Sequence, residues 1–189
     1  MDVHESRLPG VKTIQPRPNV DSRGFFVRVS SADLLGAAGI EVASFVQENQ
    51  SRSRRGTLRG LHFRVPGESK TVRSASGRAF YVVVDLRPGS PMFLEWESFI
   101  LDDESHRQVF VPPGCANGFQ ALSETVDICY RHDHYYEPGC DRTVAWDDPD
   151  LGIPWPLADP ILSDRDREAP GVEQLKECLT EWFGIQAPL

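Results

Sequence analysis

The sequence of 189 residues predicts a mainly-β protein, an antiparallel sandwich or closed barrel with short helices at its ends. The first observation is a succession of short apolar or alternating segments, each long enough for one strand. The second is that Gly and Pro interrupt this succession repeatedly, as at Pro66-Gly67, Ser76-Gly77 and Pro88-Gly89, where tight turns are favoured. The third is that only two segments carry the signals of a helix.

The predicted strands follow one another between residues 25 and 134. The first comes directly after the turn Asp21–Gly24, and further turns are predicted at 112–114 and 123–124. The segment 147–160 is rich in proline and predicts a loop. In chain order the predicted strands are Phe25–Val29, Glu41–Glu48, Leu58–Val65, Lys70–Ser74, Ala79–Leu86, Trp96–Leu101, Gln108–Val111, Gly118–Leu122 and Val126–His134.

Two helices are predicted at the ends of this series of strands. The first, Ala32–Ala38, begins after Ser31 as its N-cap and ends at Gly39. The second, Val172–Phe183, has its apolar residues on one face and ends at Gly184. Both helices are peripheral to the predicted barrel.

Length and composition limit the class of protein. The length fits one domain over residues 1–189, with a core at about 20–170 and a C-terminal helix at about 172–183. Met1–Gly10 lacks an apolar run, so we expect no signal peptide there, and the segment around His4 is expected to be a tail. No segment approaches the roughly 18 apolar residues of a membrane span. The four cysteines form no C-x-x-C pair, which predicts reduced thiols in a cytoplasmic protein.

Positive charge is concentrated in one segment of an acidic chain. Residues 52–78 contain eight Lys and Arg residues and one acid, Glu68, whereas the whole chain has a formal net charge of −8. A compact field of this sign suits an anion such as a diphosphate. Nucleic acid would require a broad basic face, so the sequence predicts neither a nucleic-acid nor a membrane partner.

The basic segment contains His62, a side chain that can exchange protons near neutral pH. Arg59 lies three residues earlier, so a regular strand would place the two on opposite faces; Gly60 between them permits a bulge that re-aims one of them. In Val126–Tyr130 the even positions are apolar, which directs Tyr130 into the barrel. These residues together predict a ligand pocket inside the barrel.

Several longer motifs occur in unbroken order over roughly residues 20–170. They are Arg59-Gly60-Leu61-His62-Phe63, Lys70-Thr71-Val72-Arg73, Val84-Asp85-Leu86-Arg87, Val111-Pro112-Pro113-Gly114, Tyr135-Tyr136, Trp146-Asp147-Asp148-Pro149 and Leu162-Ser163-Asp164-Arg165-Asp166. In these motifs the chain resembles the dTDP-4-dehydrorhamnose 3,5-epimerase family. The resemblance implies a cupin-type jelly roll, a homodimer, and activity on a thymidine-diphosphate 4-keto-6-deoxyhexose without a metal or organic cofactor.

The resemblance also implies roles for individual residues. Inverting a carbon beside a ketone requires a base on one face of the sugar and an acid on the other, and His62 and Tyr130 match these. Asp166 matches a carboxylate that hydrogen-bonds the imidazole, and Lys70 a cation near the keto oxygen, where enolate charge develops. The implied substrate contacts are Arg23 and Arg59 for the diphosphate, Gln47 and Asn49 for the nucleotide, and Phe26, Tyr136 and Arg165 along the ligand.

Three positions differ from the pattern of that family. Arg28 stands where the family usually has a glutamate, which reverses the charge at an expected nucleotide contact. Asn117 replaces a histidine and cannot carry charge. Asp141 replaces a glutamate. We therefore expect epimerase chemistry with altered contacts at these positions, and the sequence leaves open whether C3, C5 or both carbons are inverted.

Two other classes of function are compatible with parts of the sequence. His132 and His134 form an H-x-H pair like those of metal-dependent cupins, although the first cupin motif offers only His62. An exposed strand end is the expected position of this pair, with His4 in the tail and His106 in a polar turn. The departures at Arg28 and Asn117 also permit a non-catalytic sugar-nucleotide-binding protein, but such a protein does not need an acid and a base.

Overall fold

The computed structural model describes residues 1–41 and 44–184. The strands in chain order are β1 (Asp2–Glu5), β2 (Lys12–Gln15), β3 (Asn19–Asp21), β4 (Gly24–Phe26), β5 (Gln47–Arg54), β6 (Leu58–Arg64), β7 (Lys70–Ser76), β8 (Ala79–Asp85), β9 (Trp96–Leu101), β10 (Gln108–Val111), β11 (Cys115–Ala121), β12 (Thr125–His132) and β13 (Asp141–Thr143). The helices are α1 (Ala32–Ala37), α2 (Asp164–Arg167) and α3 (Val172–Phe183). None of the helices within the described ranges has the length and apolar character needed to cross a membrane.

Two antiparallel sheets form the body of the protein. The six-stranded sheet has the order β1-β2-β10-β7-β12-β5, and the five-stranded sheet has the order β13-β6-β11-β8-β9. Most neighbours in these orders are distant in sequence, as in a jelly roll, where the chain alternates between two facing sheets. Strands β3 and β4 form a separate hairpin.

Strand β8 shows how the core is arranged in two layers. Tyr81 and Val83 point into the space between the sheets, whereas Val82 and Val84 pack on the other face, against the apolar side of α3. Because both faces are covered, the strand is a continuous apolar run rather than an alternating one. Leu179 of α3 is fully buried in the outer layer.

Most predicted strands from residue 58 to residue 134 are confirmed to within a few residues, and α3 has the predicted bounds. The predicted strand Glu41–Glu48 is wrong over most of the part that is described, because only its last two residues belong to a strand; residues 42–43 lie outside the described ranges. The strand in this region is β5, which begins at Gln47. The predicted strand Phe25–Val29 ends earlier, at Phe26.

The N-terminal segment is not a tail. Strand β1, which contains His4, pairs with β2, and β2 pairs with β10 in the six-stranded sheet. The sheet therefore includes residues upstream of the expected core at about 20–170. Short polar strands of four residues carry little apolar periodicity, so the sequence pattern did not reveal them.

Candidate active site

A cavity of about 290 Å³ lies between the two sheets, at the lower end of the range of small-molecule sites. Both sheets contribute side chains to its walls. Ten of the fourteen predicted site residues line it: Gln47, Asn49, Arg59, His62, Lys70, Asn117, Tyr130, Tyr136, Asp141 and Arg165.

His62 and Asp166 form the most direct contact of the site. His62 Nε2 lies 2.6 Å from Asp166 Oδ1, although 104 positions separate the two residues. Asp166 belongs to the short helix α2, whose N-cap Ser163 accepts a hydrogen bond from the Asp166 amide. Just before α2, the Leu58 amide donates to the Ile161 carbonyl at 3.0 Å, which attaches this segment to the start of β6. The sequence therefore folds α2 against the strand that carries the histidine.

Asp166 is only 3% exposed, and its environment keeps it ionised. Burial alone would raise its pKa, but the hydrogen bond and charge of His62, with hydrogen bonds from Ser163 and the Gly60 amide, lower the pKa of Asp166 below its usual value. An ionised carboxylate can only accept, so His62 Nε2 carries the hydrogen that it donates. In the neutral ring Nδ1 is then the nitrogen that can take up a proton.

A bulge in β6 brings Arg59 and His62 to the same cavity. Asn117 of β11 pairs with His62 and Phe119 with Arg59, so three steps on β6 oppose two steps on β11. Gly60, inside the bulge, has φ of +136°, and a Cβ there would lie 2.6 Å from the Cα of Gly118. Only glycine fits this close approach. The bulge is the one that Gly60 was expected to permit.

Tyr130 occupies the opposite sheet. Its hydroxyl lies 3.2 Å from Ser51 Oγ, and its ring points into the cavity as the alternation of β12 predicted. Burial raises the pKa of Tyr130 to about 12, although Ser51 and the charge of Arg59 oppose this rise. The phenol is therefore protonated at neutral pH and can donate a proton.

Further binding candidates line the same walls. Arg59 donates to Ser53 Oγ at 3.0 Å, and Gln47 accepts the Tyr136 amide at 3.0 Å while donating to Asn49 at 3.2 Å. These contacts hold polar side chains of β5 at the edge of the cavity.

Asn117 has an internal partner. Its Nδ2 donates to the backbone carbonyl of His62 at 3.0 Å, and the residue is buried. The amide thus fixes the local backbone of β6 beside the histidine.

The structure does not bring Arg23, Phe26 and Arg28 into the cavity of their own chain. Arg23 pairs with Asp21 at the tip of the β3–β4 hairpin, and Phe26 is 71% exposed. Phe26 and Arg28 instead border a separate cavity that Met1 also lines.

Glu68 and Arg64, two charged residues that line the cavity, were not among the predicted site residues, and His132, which also lines it, was considered only as a candidate metal ligand. Glu68 forms an ion pair with Lys70 and accepts a hydrogen bond from His132 Nδ1 at 3.1 Å. Arg64 donates to Glu137 at 2.6 Å. The only signal for Glu68 was its position as the single acid of the basic segment. His132 was expected at an exposed strand end, but its side chain is only 16% exposed, because β12 continues along the cavity wall.

Both histidines of the H-x-H pair form hydrogen bonds with acidic side chains. His132 bonds to Glu68, and His134, which also lines the cavity, bonds to Asp133 at 2.6 Å. Among residues 1–41 and 44–184, no three His, Cys, Asp or Glu side chains are grouped so that they could hold a metal ion.

Solved structures confirm the fold class. NovW, a 4-keto-6-deoxy sugar epimerase from the novobiocin cluster of Streptomyces spheroides, superposes with a TM-score of 0.91 at 37% identity, covering 94% of this chain and 90% of that one. ChmJ, a 3'-monoepimerase from Streptomyces bikiniensis solved with dTDP-quinovose, superposes with a TM-score of 0.88 at 32% identity, covering 93% of this chain and 90% of that one. The structural neighbours have the cupin jelly-roll fold.

Sequence comparisons agree with the structural ones. The dTDP-4-dehydrorhamnose 3,5-epimerase of Pseudomonas aeruginosa is 42% identical over 163 residues, which cover 85% of this chain and 90% of the relative. Residues 5–174 match the family described as dTDP-4-dehydrorhamnose 3,5-epimerase. The chain therefore belongs to the dTDP-4-dehydrorhamnose 3,5-epimerase family, a family of isomerases.

Proposed function

We propose that the protein epimerises a dTDP-4-keto-6-deoxyhexose at C3, C5 or both, by proton transfer through its own side chains. The observation that carries this proposal is the position of the two proton-transfer residues on facing walls of the cavity. His62, bonded to Asp166, lies on the five-stranded sheet, whereas Tyr130 lies on the six-stranded sheet. A base and an acid on facing walls can act on opposite faces of one sugar ring.

The first step removes the proton on the carbon beside the ketone. His62 Nδ1 takes this proton, and Asp166 stabilises the imidazolium that results. The electron pair of the C–H bond moves to the keto oxygen, and the ammonium of Lys70 stabilises the enolate. In the second step Tyr130 gives its proton to the opposite face of the same carbon, which inverts it. Proton exchange with water then restores the phenol and the neutral imidazole.

The nucleotide end of the substrate would lie along β5 and the start of β6. Arg59 offers a guanidinium to the diphosphate, and Gln47 and Asn49 offer amides to the nucleotide. Tyr136, which is 65% exposed at the mouth, would cover the ligand. Arg165 and Asp141 line the same cavity and are proposed as further contacts.

A homodimer is part of the proposal. Arg23, Phe26 and Arg28 lie outside the cavity of their own chain, on or beside an exposed hairpin. Val20 and Phe25 are also strongly exposed there, and such an apolar hairpin suits a protein contact. We propose that the hairpin of one protomer docks on a second copy and supplies these residues to its cavity. Sedimentation should then give a dimer, and Phe25→Asp should shift it towards monomer.

A cytoplasmic location also belongs to the proposal. All four cysteines are free thiols, as a reducing compartment would keep them, and Cys115 and Cys129 are buried. Fractionation of cells that express the protein would test this location.

NMR of dTDP-4-keto-6-deoxyglucose in D₂O tests the activity. Deuterium at both C3 and C5 would identify a double epimerase, and deuterium at one carbon a mono-epimerase. His62→Ala is the control, because it removes the base. If the wild type incorporates deuterium no faster than His62→Ala does, the proposed function is refuted for this substrate.

A further inference from the structure

Lys70 has an unusual environment for a lysine. Its side chain is only 7% exposed although it lines the cavity, and its ammonium is paired with the carboxylate of Glu68, which is itself 11% exposed. A lysine ammonium sits on a flexible four-carbon stem and does not fix its own direction. The carboxylate therefore determines where the charge of Lys70 lies.

Glu68 is held from a second side. Its Oε2 accepts a hydrogen bond from His132 Nδ1 at 3.1 Å, while Oε1 faces Lys70. Burial would raise the pKa of Glu68, but the hydrogen bond from His132 and the charge of Lys70 lower it to about 2. Glu68 is consequently an anion throughout the neutral range.

The backbone around Glu68 is attached to the end of β12. The Ser69 amide donates to the carboxylate of Asp133 at 2.9 Å, and the Asp133 amide donates to the Ser69 carbonyl at 3.2 Å. Lys70 pairs with His132 in the register of β7 and β12. The loop that carries Glu68 is thus fixed to the same strand as its histidine partner.

The contacts of Lys70, Glu68 and His132 extend to Tyr130, the proposed acid. His132 lies two positions after Tyr130 on β12, so both side chains are on the same face, and their rings are stacked with centroids 6.1 Å apart. Lys70, Glu68, His132 and Tyr130 therefore form one continuous chain of contacts along the cavity wall.

We propose that Glu68 and His132 are positioning residues, which hold the Lys70 ammonium at a fixed distance from the proton donor Tyr130. The inference rests on the proposed function for the role of Lys70, since a cation must face the keto oxygen when the enolate forms. Glu68 and His132 do not themselves touch the reacting atoms in this scheme.

The positioning can be measured without substrate. The chain has three lysines, Lys12, Lys70 and Lys176, so ¹⁵N-lysine labelling gives three side-chain amino groups, and Lys70→Arg assigns the signal of Lys70. A buried, ion-paired ammonium exchanges hydrogen slowly, so we expect a Lys70 signal in the wild type and its loss in Glu68→Gln. Glu173→Gln is the matched control, because it removes a carboxylate from the exposed pair with Lys176. A Lys70 signal that persists in Glu68→Gln would overturn the proposal.

Kinetics provide the second readout. We expect Glu68→Gln to lower kcat about 10- to 100-fold with KM changed less than about twofold, since a displaced cation weakens transition-state stabilisation rather than binding. His132→Ala should lower kcat as well, whereas His132→Asn, which keeps a donor near the position of Nδ1, should restore much of it. An unchanged kcat with a raised KM, or a kcat equal to that of Glu173→Gln, would contradict the proposal.

Two complications are resolved by the design. If Glu68→Gln fails to fold, His132→Ala decides, because it leaves the Glu68–Lys70 pair in place; equal activities of His132→Ala and wild type would then refute the inference. If the wild type exchanges no substrate proton, the proposed function fails, yet the Lys70 signal still determines whether Glu68 positions the ammonium.

Discussion

The free energy of unfolding at acid pH depends on Glu68, and the size of this effect follows from the shift in the pKa of Glu68. Its pKa is lowered from 4.5 to about 2, and each tenfold preference for the ionised form is worth about 1.4 kcal/mol, so the folded state gains about 3 kcal/mol from ionised Glu68. Glu68→Gln should therefore lower the free energy of unfolding at pH 7 by about 3 kcal/mol, comparable to the loss of one partner from a buried ion pair.

The sign of the pH dependence follows from the direction of this shift. Because the folded pKa of Glu68 is lowered, its contribution is complete above about pH 4.5, where the carboxyl of the unfolded chain is ionised, and is lost as the pH falls towards 2. Protonated glutamic acid resembles glutamine in shape and charge. The difference between wild type and Glu68→Gln should thus shrink towards zero across this range.

Urea unfolding followed by the fluorescence of the four tryptophans measures this difference at each pH. Other carboxylates that titrate in the same range affect both proteins equally and cancel. Glu173→Gln should differ from wild type by less than about 0.5 kcal/mol at every pH, since its pair is exposed. A difference for Glu68→Gln that stays constant from pH 7 to pH 3, or lies below about 1 kcal/mol at pH 7, would refute the reasoning.

Three further predictions concern the site. Asp166→Asn should lower kcat about 10²- to 10⁴-fold with little change in KM, because the imidazolium of His62 loses its charged partner; steady-state kinetics measure this, and a change below tenfold would contradict it. Tyr130→Phe should slow product formation about 10²-fold or more but preserve His62-dependent deuterium exchange, and NMR in D₂O separates the two; equal loss of both would assign Tyr130 another role. Gly60→Ala should destabilise the fold by roughly 2 kcal/mol or more in thermal unfolding, since its Cβ would lie 2.6 Å from a neighbouring Cα. Gly139→Ala, at a position with a positive φ but open space, should destabilise the fold less. Equal destabilisation by the two substitutions would exclude the clash as the cause.

The sequence predicted the parts of the fold that bury apolar surface. Strand β8 and helix α3 were found because their apolar residues face a core, and the spacing of His62, Arg59 and Gly60 indicated the bulge that the structure contains. Strand β5 was missed because its inward face consists of Gln47, Asn49 and Ser51, which line a polar cavity. A strand without apolar alternation gives no periodic signal.

Contacts between charged residues that are far apart in the sequence could not be predicted from the sequence either. The bond between Glu68 and His132 joins residues 64 positions apart, and nothing in the local pattern of either residue indicates the other. The family resemblance placed Arg23, Phe26 and Arg28 among the substrate contacts, but the fold of one chain puts the β3–β4 hairpin and Arg28 elsewhere. Such a separation depends on tertiary geometry, which local sequence patterns do not contain.

The polar character of β5 separates the lining of the cavity from the hydrophobic core. The strand is joined to β12 by backbone pairing over its whole length, and Gln47, Asn49 and Ser51 belong to none of the hydrophobic clusters of the described residues. Substitutions at these three positions should change the shape and hydrogen bonding of the cavity at little cost in unfolding free energy. If β5 binds the nucleotide as proposed, this strand is where new nucleotide preferences can evolve, and where a library for altered nucleotide selectivity should be built, without first stabilising the scaffold.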